Sequence, residues 1–276
     1  MKYKLIISDY GETLVHTGDR VSTQNVEAIR KFQQHGGLFS IATGREWQSI
    51  KRKIQESELY SLQEMLITCC YGSIIISSII EKVIFDFPLN FDLVKDLVNF
   101  FSKNKIEYSL VTKDKTIMEK SIDISEYKWK KAKDLLLFDD AKDVFQHISN
   151  SKEKIYKIDI YTLNVSEKLA AYINENYVNS FKLYINKQGF MEIVSSEAGK
   201  EKAYSLIRDY YELKDKEVIV VGDAPNDLGL FKHAVNRVAV SNAIGELLNE
   251  STYIVDNEYY FGISRLIERI MHNLEI

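Results

Sequence analysis

Asp9 closes a short apolar run, Leu5–Ser8, and a turn at Gly11 follows it. An apolar run that stops at a carboxylate and then turns at glycine is typical of the carboxyl end of a buried strand. In an open α/β sheet, that edge is where ligands bind. A carboxylate there can act as a nucleophile or hold a metal ion. Taken alone, the same pattern also fits an aspartate that caps a turn.

Three later segments repeat the pattern with other reactive groups. Thr43 and Gly44 follow an apolar run, Lys200 precedes a helical pattern, and the cluster Gly222–Asp227 follows the β-branched run Val218–Val221. A carboxylate, a hydroxyl, a lysine and a second acidic cluster form a set suited to phosphoryl transfer. Such chemistry needs a nucleophile, a divalent cation and donors for the phosphate oxygens.

Strands and helices that could position these groups alternate at both ends of the chain. After the first strand, Ser22 or Thr23 can cap a helix whose apolar face is Val26, Ile29 and Phe32. Alternation of this kind predicts an α/β fold, with a doubly wound parallel sheet and right-handed crossovers.

In the middle of the chain the pattern changes, and helices and strands mix without glycine-rich turns. This part includes an amphipathic helix, 91–101, with Leu93, Leu97 and Phe100 expected on one face. We therefore predict two domains, a core formed by 1–85 and 188–276 and an inserted α+β domain formed by 86–187.

With these segments in this order, the chain resembles the haloacid dehalogenase (HAD) superfamily, specifically its sugar-phosphatase-like (Cof-type) branch. The four motifs of that family match Asp9–Leu14, Ala42–Arg45, Lys200 and Gly222–Asp227. The resemblance covers nearly the whole chain. It implies a Rossmann-like core with a large cap domain inserted between the second and third motifs, and it implies that the cap determines substrate specificity.

The resemblance implies a Mg²⁺ site. Asp9 would be both a metal ligand and the nucleophile, Asp223 would bind the metal directly, and Asp227 would support it through water. The backbone carbonyl of residue 11 is the third protein ligand in the family, and Gly11 keeps that carbonyl. Hard oxygen ligands suit Mg²⁺, which also keeps several waters.

A phosphate-binding site is expected beside the metal. Thr43 and Gly44 offer a hydroxyl and backbone amides at a strand-to-helix turn, which favours an anion. By the resemblance, Asn226 hydrogen-bonds the phosphate, and Lys200 neutralises it together with the charge that develops during transfer. Asp9, Thr43 and Lys200 are the expected catalytic residues.

The first motif departs from the family pattern Asp-x-Asp-Gly-Thr. At positions 9–13 this chain reads Asp-Tyr-Gly-Glu-Thr, so Gly11 stands where the family's phosphatases have the aspartate that acts as general acid and base. Glu12 and His16 are the nearby candidates to replace that acid, although each also fits a solvated loop residue. A lesser departure is Tyr71-Gly72-Ser73, where the family often has Asn-Gly-Ala.

The composition is that of an ordinary globular protein. The chain has 276 residues, of which 45% are hydrophobic and 28% charged, and a formal net charge of −4. This balance argues against binding to nucleic acid or to a membrane surface, which would favour a basic face. Its two cysteines, Cys69 and Cys70, are adjacent, and we expect buried thiols in a strand. Thiols of this kind, without an N-terminal signal or membrane span, predict a cytoplasmic protein.

These observations predict a Mg²⁺-dependent phosphatase-type hydrolase that acts on a small phosphorylated metabolite, such as a sugar phosphate, through an aspartyl-phosphate. The missing second aspartate leaves two alternatives open. One is a catalytically impaired protein of the same fold that binds a phosphorylated ligand or a protein partner, and the other is a phosphotransferase or phosphonate-type enzyme. Retention of the nucleophile, the lysine and the acidic cluster favours the hydrolase.

Overall fold

The computed structural model describes residues 1–16, 20–121, 134–163, 165–185, 189–274 and 276, apart from the side chain of Tyr60. The chain divides into two compact units. The first comprises Met1–Arg45, Ser49–Asp86 and Gly199–Ile276, and the second comprises Glu46–Gln48 and Phe87–Ala198. The junction predicted at 187/188 lies outside the described residues, so the predicted domain division, and the role given to the inserted domain, stay predictions.

Strands and helices are numbered along the described part of the chain. The strands are β1 Leu5–Ser8, β2 Leu38–Ala42, β3 Leu66–Cys69, β4 Ile74–Ser77, β5 Val83–Asp86, β6 Tyr108–Val111, β7 Thr116–Glu119, β8 Leu135–Phe138, β9 Lys157–Ile160, β10 Phe181–Ile185, β11 Met191–Ser195, β12 Val218–Gly222, β13 Asn236–Val240 and β14 Tyr253–Val255. The helices are α1 Thr23–Gln34, α2 Trp47–Glu56, α3 Phe91–Asn104, α4 Ala141–Ser151, α5 Ser166–Asn176, α6 Lys200–Tyr210, α7 Leu228–His233, α8 Gly245–Glu250 and α9 Gly262–Met271. Over the described ranges, none of these helices has the length and apolar character that a membrane span requires.

The sheet of the first unit confirms the predicted α/β fold. Among the described residues, eight strands follow the order β14-β13-β12-β1-β2-β3-β4-β5. Neighbours from β14 to β3 are parallel, and β4 and β5 continue the sheet antiparallel. Every residue of β1 and of β12 is buried, as expected for central strands covered by helices on both faces.

The register of this sheet brings the predicted reactive residues to one edge. Ser8 in β1 lies opposite Ile41 in β2 and opposite Val221 in β12. Since the three strands are parallel, the residues that follow them emerge side by side at the carboxyl edge, with neighbouring strands about 4.8 Å apart. Asp9, Thr43 and Asp223 are therefore neighbours although they are far apart in sequence.

Helix α1 shows how local sequence fixes an element. Ser22 is its N-cap and accepts a hydrogen bond from the amide of Asn25, so the first of the two predicted caps is correct. Val26, Ile29 and Phe32 are buried, as their spacing predicts. The helix therefore packs against the sheet through an apolar stripe and returns the chain to β2.

The second unit contains its own sheet and core. Six strands, counted over the described residues, follow the order β10-β11-β9-β6-β7-β8. All pairs are antiparallel except β7 with β8. Helices α3, α4 and α5 bury apolar side chains such as Phe101, Ile148 and Ile173 against Ile158 and Ile160 of β9.

The face predicted for helix α3 was partly wrong. Val94, Leu97, Val98 and Phe101 are its buried residues. Two overlapping apolar stripes run along this helix, and the one at i, i+3, i+4 and i+7 contacts the sheet. Phe100 is only half-buried and stacks on Tyr172 at a centroid distance of 3.7 Å.

The chain leaves β3 through three successive left-handed residues. Cys70, Tyr71 and Gly72 have φ values of 49°, 56° and 98°. Cys69 and Cys70 are both buried thiols that form no disulfide, as predicted, but only Cys69 lies in the strand. At Gly72, an added Cβ would lie 2.3 Å from the carbonyl oxygen of Gly199. The turn therefore packs backbone against backbone directly before α6.

We expect Gly72→Ala to lower the free energy of unfolding by roughly 2–4 kcal/mol, because the variant adds a methyl group to a left-handed, tightly packed position. The control is Gly245→Ala, since a Cβ at Gly245 meets nothing within 4 Å. Urea unfolding of both variants measures the difference. Equal stability of the two variants would show that the contact with Gly199 relaxes easily.

Candidate active site

Lys200 joins two carboxylates at the carboxyl edge of the first sheet. Its Nζ lies 2.5 Å from Asp9 Oδ1 and 2.6 Å from Asp227 Oδ1. Asp9 directly follows β1, Lys200 is the first residue of α6, and Asp227 ends the 3₁₀ turn after β12. All three side chains are buried, with Lys200 1% exposed. Residues from both ends of the chain thus meet in one charged cluster.

Asp223 completes the cluster. Three carboxylate oxygens, one from each of Asp9, Asp223 and Asp227, lie within 4.8 Å of one another. Asp223 Oδ1 also accepts a hydrogen bond of 2.9 Å from the hydroxyl of the buried Thr13. Two oxygens that share one Mg²⁺ at about 2.1 Å are at most about 4.2 Å apart, so small side-chain adjustments would let these carboxylates share an ion.

Both carboxylate oxygens of Asp227 accept hydrogen bonds. Its Oδ2 accepts hydrogen bonds of 3.1 Å from the backbone amides of Asp223 and Ala224, while its Oδ1 accepts from Lys200. The carboxylate therefore holds the loop after β12 in shape and orients Lys200. This arrangement suits the supporting role that the family resemblance implies for it.

The electrostatics of the cluster favour an added cation. Three carboxylates surround one ammonium group. Burial raises the pKa of Asp9 to about 7, and the negative charges of Asp227 and Asp223 add to this effect, whereas Lys200 opposes it. Burial also disfavours the charged form of Lys200, but Asp227 and Asp9 raise its pKa above the usual value. The site is therefore short of positive charge, and an oxygen-binding divalent cation fits it.

Hydrogen bonds from residues near the C-terminus stabilise the turn after Asp9. Glu12 has a φ of 62°, in the left-handed region that favours glycine. Its carbonyl accepts hydrogen bonds from the side-chain amides of Asn242 at 2.8 Å and of Asn257 at 3.2 Å. The buried Asn257 also accepts from the amide of Gly262 at the start of α9. These bonds fix the backbone on which the Gly11 carbonyl and Thr13 lie.

Glu12 and His16, the two candidates for the missing acid, converge on Tyr260. The Tyr260 hydroxyl donates a 2.8 Å hydrogen bond to Glu12 Oε2. The ring of His16 makes an edge contact with Tyr260 at a centroid distance of 5.3 Å. Both side chains are thus engaged by the turn that precedes α9.

The predicted phosphate-binding residues lie at the same sheet edge. The Thr43 amide donates to the Thr68 carbonyl at 2.9 Å, so it is already used within the sheet. The Thr43 hydroxyl accepts from the Arg45 amide at 3.2 Å and keeps its own proton for a ligand. Asn226 Oδ1 is buried without a hydrogen-bond partner among the described residues. A buried polar atom of this kind usually has a partner, which suits a ligand or an ordered water there.

Tyr71 contacts Gly44 directly. A Cβ added to Gly44 would lie 2.4 Å from Cζ of the Tyr71 ring. The Tyr71 amide also donates to the Thr43 carbonyl at 3.1 Å. The left-handed turn after β3 therefore shapes the Thr43–Gly44 segment, and only glycine fits under the tyrosine ring.

Sequence reasoning missed several residues that hold the site. They are Thr13, Asn242, Asn257 and Tyr260. Thr13 lies within the first motif, and this position could have signalled its contact with the acidic cluster. The partners of Asn257 and Tyr260 in the first motif are more than two hundred residues away in the chain, and no local pattern indicates these contacts.

A largely parallel α/β sheet with a buried lysine–carboxylate cluster at its carboxyl edge is the arrangement that the resemblance to the haloacid dehalogenase superfamily predicts. A family model for haloacid dehalogenase-like hydrolases matches residues 6–267, and the chain belongs to this family. It is 25% identical, over 97% of its own length and 98% of the relative, to the 5-amino-6-(5-phospho-D-ribitylamino)uracil phosphatase YwtE of Bacillus subtilis.

Solved structures show the same fold. A haloacid dehalogenase-like hydrolase from Bacteroides thetaiotaomicron is similar with a TM-score of 0.84 and 22% identity, over 98% of this chain and 100% of that one. A haloacid dehalogenase-like hydrolase from B. subtilis has a TM-score of 0.81 and 16% identity, over 97% and 99%. Membership of the haloacid dehalogenase-like hydrolase family makes the protein an enzyme of the hydrolase class, and relatives named phosphatases support phosphatase activity.

The raised pKa of Asp9 predicts that the metal-free protein loses stability as pH rises. The folded-state pKa, about 7, lies above the ordinary value of 3.8. Between these values the folded state binds more protons than the unfolded chain, so the free energy of unfolding falls with increasing pH. We expect a fall on the order of 2–4 kcal/mol between about pH 4 and about pH 8, measured by urea unfolding with a chelator present.

Asp9→Asn provides the comparison, because asparagine keeps the shape of the side chain but does not ionise. The variant is expected to lose most of this pH dependence relative to the unmodified protein. If the two proteins show the same pH dependence, another group causes the effect.

Proposed function

We propose that the protein is a Mg²⁺-dependent phosphatase that hydrolyses a small phosphorylated metabolite through an aspartyl-phosphate on Asp9. The observation that carries this proposal is the buried cluster in which Lys200 contacts Asp9 and Asp227. A carboxylate, a cation and a metal-binding set at one sheet edge are what phosphoryl transfer through a covalent intermediate requires. Family membership supports the same reaction class.

Asp9, Asp223 and the Gly11 carbonyl are the proposed direct metal ligands, with Asp227 supporting them. The excess of carboxylates over ammonium groups in this buried cluster is what favours a divalent cation there. Mg²⁺, when bound, would neutralise charge on the transferring phosphoryl group and orient it. Oxygen-only ligands favour Mg²⁺ over softer transition metals.

The protein residues would act in sequence on a bound phosphate ester. Thr43, Gly44, Asn226 and Lys200 would hold the phosphate oxygens. Asp9 would attack phosphorus, and the bond between phosphorus and the leaving oxygen would break. Lys200 would stabilise the charge that develops on the phosphoryl oxygens, and water would then release phosphate and restore the Asp9 carboxylate.

The second unit is proposed to recognise the remainder of the substrate. Lys157 on β9 is buried, and its Nζ lies 2.9 Å from Asp159 Oδ1 and 2.8 Å from Glu192 Oε1. Alternation along β9 puts Lys157 and Asp159 on the face opposite Ile158 and Ile160, which pack against the helices. A buried, charged sheet face of this kind suits a polar metabolite, such as a sugar phosphate.

Three further points concern the alternative, the substrate and the location. The alternative of a catalytically impaired binding protein is not favoured, because the relatives that match the whole chain are named phosphatases. The relative YwtE is named for a phosphorylated ribitylamino-uracil, which supports a small, polar substrate for this chain as well. The buried thiols of Cys69 and Cys70, which form no disulfide, support a reducing, cytoplasmic location.

Mg²⁺ is expected to raise the melting temperature by binding the folded state only. At about 100 times the dissociation constant the gain is about 2.7 kcal/mol, or several degrees. Asp223→Asn should abolish most of the shift. Asp139→Asn makes the same charge change at a carboxylate that is 76% exposed, and it should retain the full shift. An equal shift in both variants would place the ion elsewhere.

Asp9→Asn is expected to lower turnover of an aryl phosphate by about 10⁴-fold or more, because the amide replaces the nucleophile. Circular dichroism and Mg²⁺-free unfolding check that the variant is folded. Trapping of a phosphorylated aspartate in the unmodified protein, followed by peptide mapping, identifies the attacked residue. Activity that survives in the folded variant would remove Asp9 as nucleophile.

A further inference from the structure

Gly11 has no side-chain functional group, although there is space for a side chain at this position. The φ of Gly11 lies outside the left-handed region that side chains disfavour, and a Cβ added there would meet nothing within 4 Å among the described residues. The unusual backbone of this turn falls instead on Glu12, with a φ of 62°. Neither backbone strain nor crowding therefore requires glycine at position 11, and an acid would fit.

The neighbouring titratable side chains are engaged by other residues. The Glu12 carboxylate accepts the Tyr260 hydroxyl proton at 2.8 Å, and His16 contacts the ring of the same tyrosine. Lys200 is held between Asp9 and Asp227. The titratable side chains of the turn and of the cluster thus have structural partners of their own.

This arrangement restricts the first chemical step. As Asp9 attacks phosphorus, the bond to the leaving oxygen breaks and its electron pair stays on that oxygen. An alcohol is about as weak an acid as water, so its oxygen leaves poorly without a proton. A phenol, with a pKa of about 10, or a carboxylic acid, with a pKa of about 4, leaves readily as the anion.

We propose that the enzyme acts on activated phosphates, namely acyl, enol and aryl phosphates, whose leaving oxygen departs without protonation. This inference rests on the proposed phosphatase function. Among sugar phosphates, those on the anomeric oxygen have the better leaving group and are favoured over those on a primary alcohol. In the second step water attacks phosphorus, the bond to Asp9 breaks with its electron pair returning to the carboxylate, and the proton of the water passes to solvent.

The test is the dependence of kcat/KM on the leaving group. Substituted phenyl phosphates, acetyl phosphate and ethyl phosphate are compared for the unmodified protein and for Gly11→Asp. The unmodified protein is expected to prefer phenyl phosphate over ethyl phosphate by about 10²-fold or more, the usual worth of a placed acid. Gly11→Asp is expected to raise ethyl phosphate turnover by about the same factor and to change acetyl phosphate turnover far less.

Controls separate the acid from other effects of substitution. Gly11→Ala adds the Cβ without the carboxyl group and is expected to keep the unmodified leaving-group dependence. Glu12→Gln, His16→Ala and Tyr71→Phe are also expected to keep it, and a selective loss of ethyl phosphate turnover in any of them would identify a hidden acid and overturn the proposal. Should Gly11→Asp fail to fold, the leaving-group dependence of the unmodified protein still decides.

The outcomes distinguish this proposal from the phosphatase function itself. Comparable rates for ethyl and phenyl phosphate in the unmodified protein would overturn the leaving-group restriction and leave the phosphatase function intact. An equal gain for all substrates in Gly11→Asp would also overturn the restriction. Absence of hydrolysis for every ester, with no phosphorylated aspartate formed, would overturn both.

Discussion

The ion pairs of Lys200 with Asp9 and Asp227 are the interaction on which the site depends. Three carboxylates brought together inside a protein repel one another, and burial penalises each charge. One ammonium group placed 2.5 and 2.6 Å from two of them offsets part of this penalty. Lys200 does so from the first turn of α6, where the helix dipole disfavours a cation, so the carboxylates determine its position.

A second constraint fixes the turn that follows the nucleophile. Thr13 donates to Asp223, and Asn257 donates to the carbonyls of Glu12 and Thr13. The left-handed conformation of Glu12 is unfavourable for a residue with a side chain, and these hydrogen bonds offset its cost. These bonds therefore fix a left-handed residue, Glu12, at the position where the family pattern has glycine.

The sequence predicted the core of the site because parallel topology leaves few choices. Runs such as Val218–Val221 are apolar on both faces, so they had to be central strands, and Asp9 and Asp223 had to meet at one edge. Contacts between single side chains that are far apart in sequence, such as Tyr260 with Glu12, leave no periodic pattern in the sequence. The short strands β7 and β8 and helix α4 were also not predicted; β8 is an apolar run of four residues that is only partly buried.

The position of β1 in the middle of the sheet determines when the molecule can assemble. Its neighbour β2 follows closely in the chain, but its other neighbour, β12, is made only after Phe87–Ala198, the larger segment of the second unit. During synthesis the first five strands are therefore complete while one edge of β1 is still unpaired, and such an edge readily pairs with another chain. The second unit can fold first, whereas the lysine–carboxylate cluster is among the last parts of the nascent protein to form.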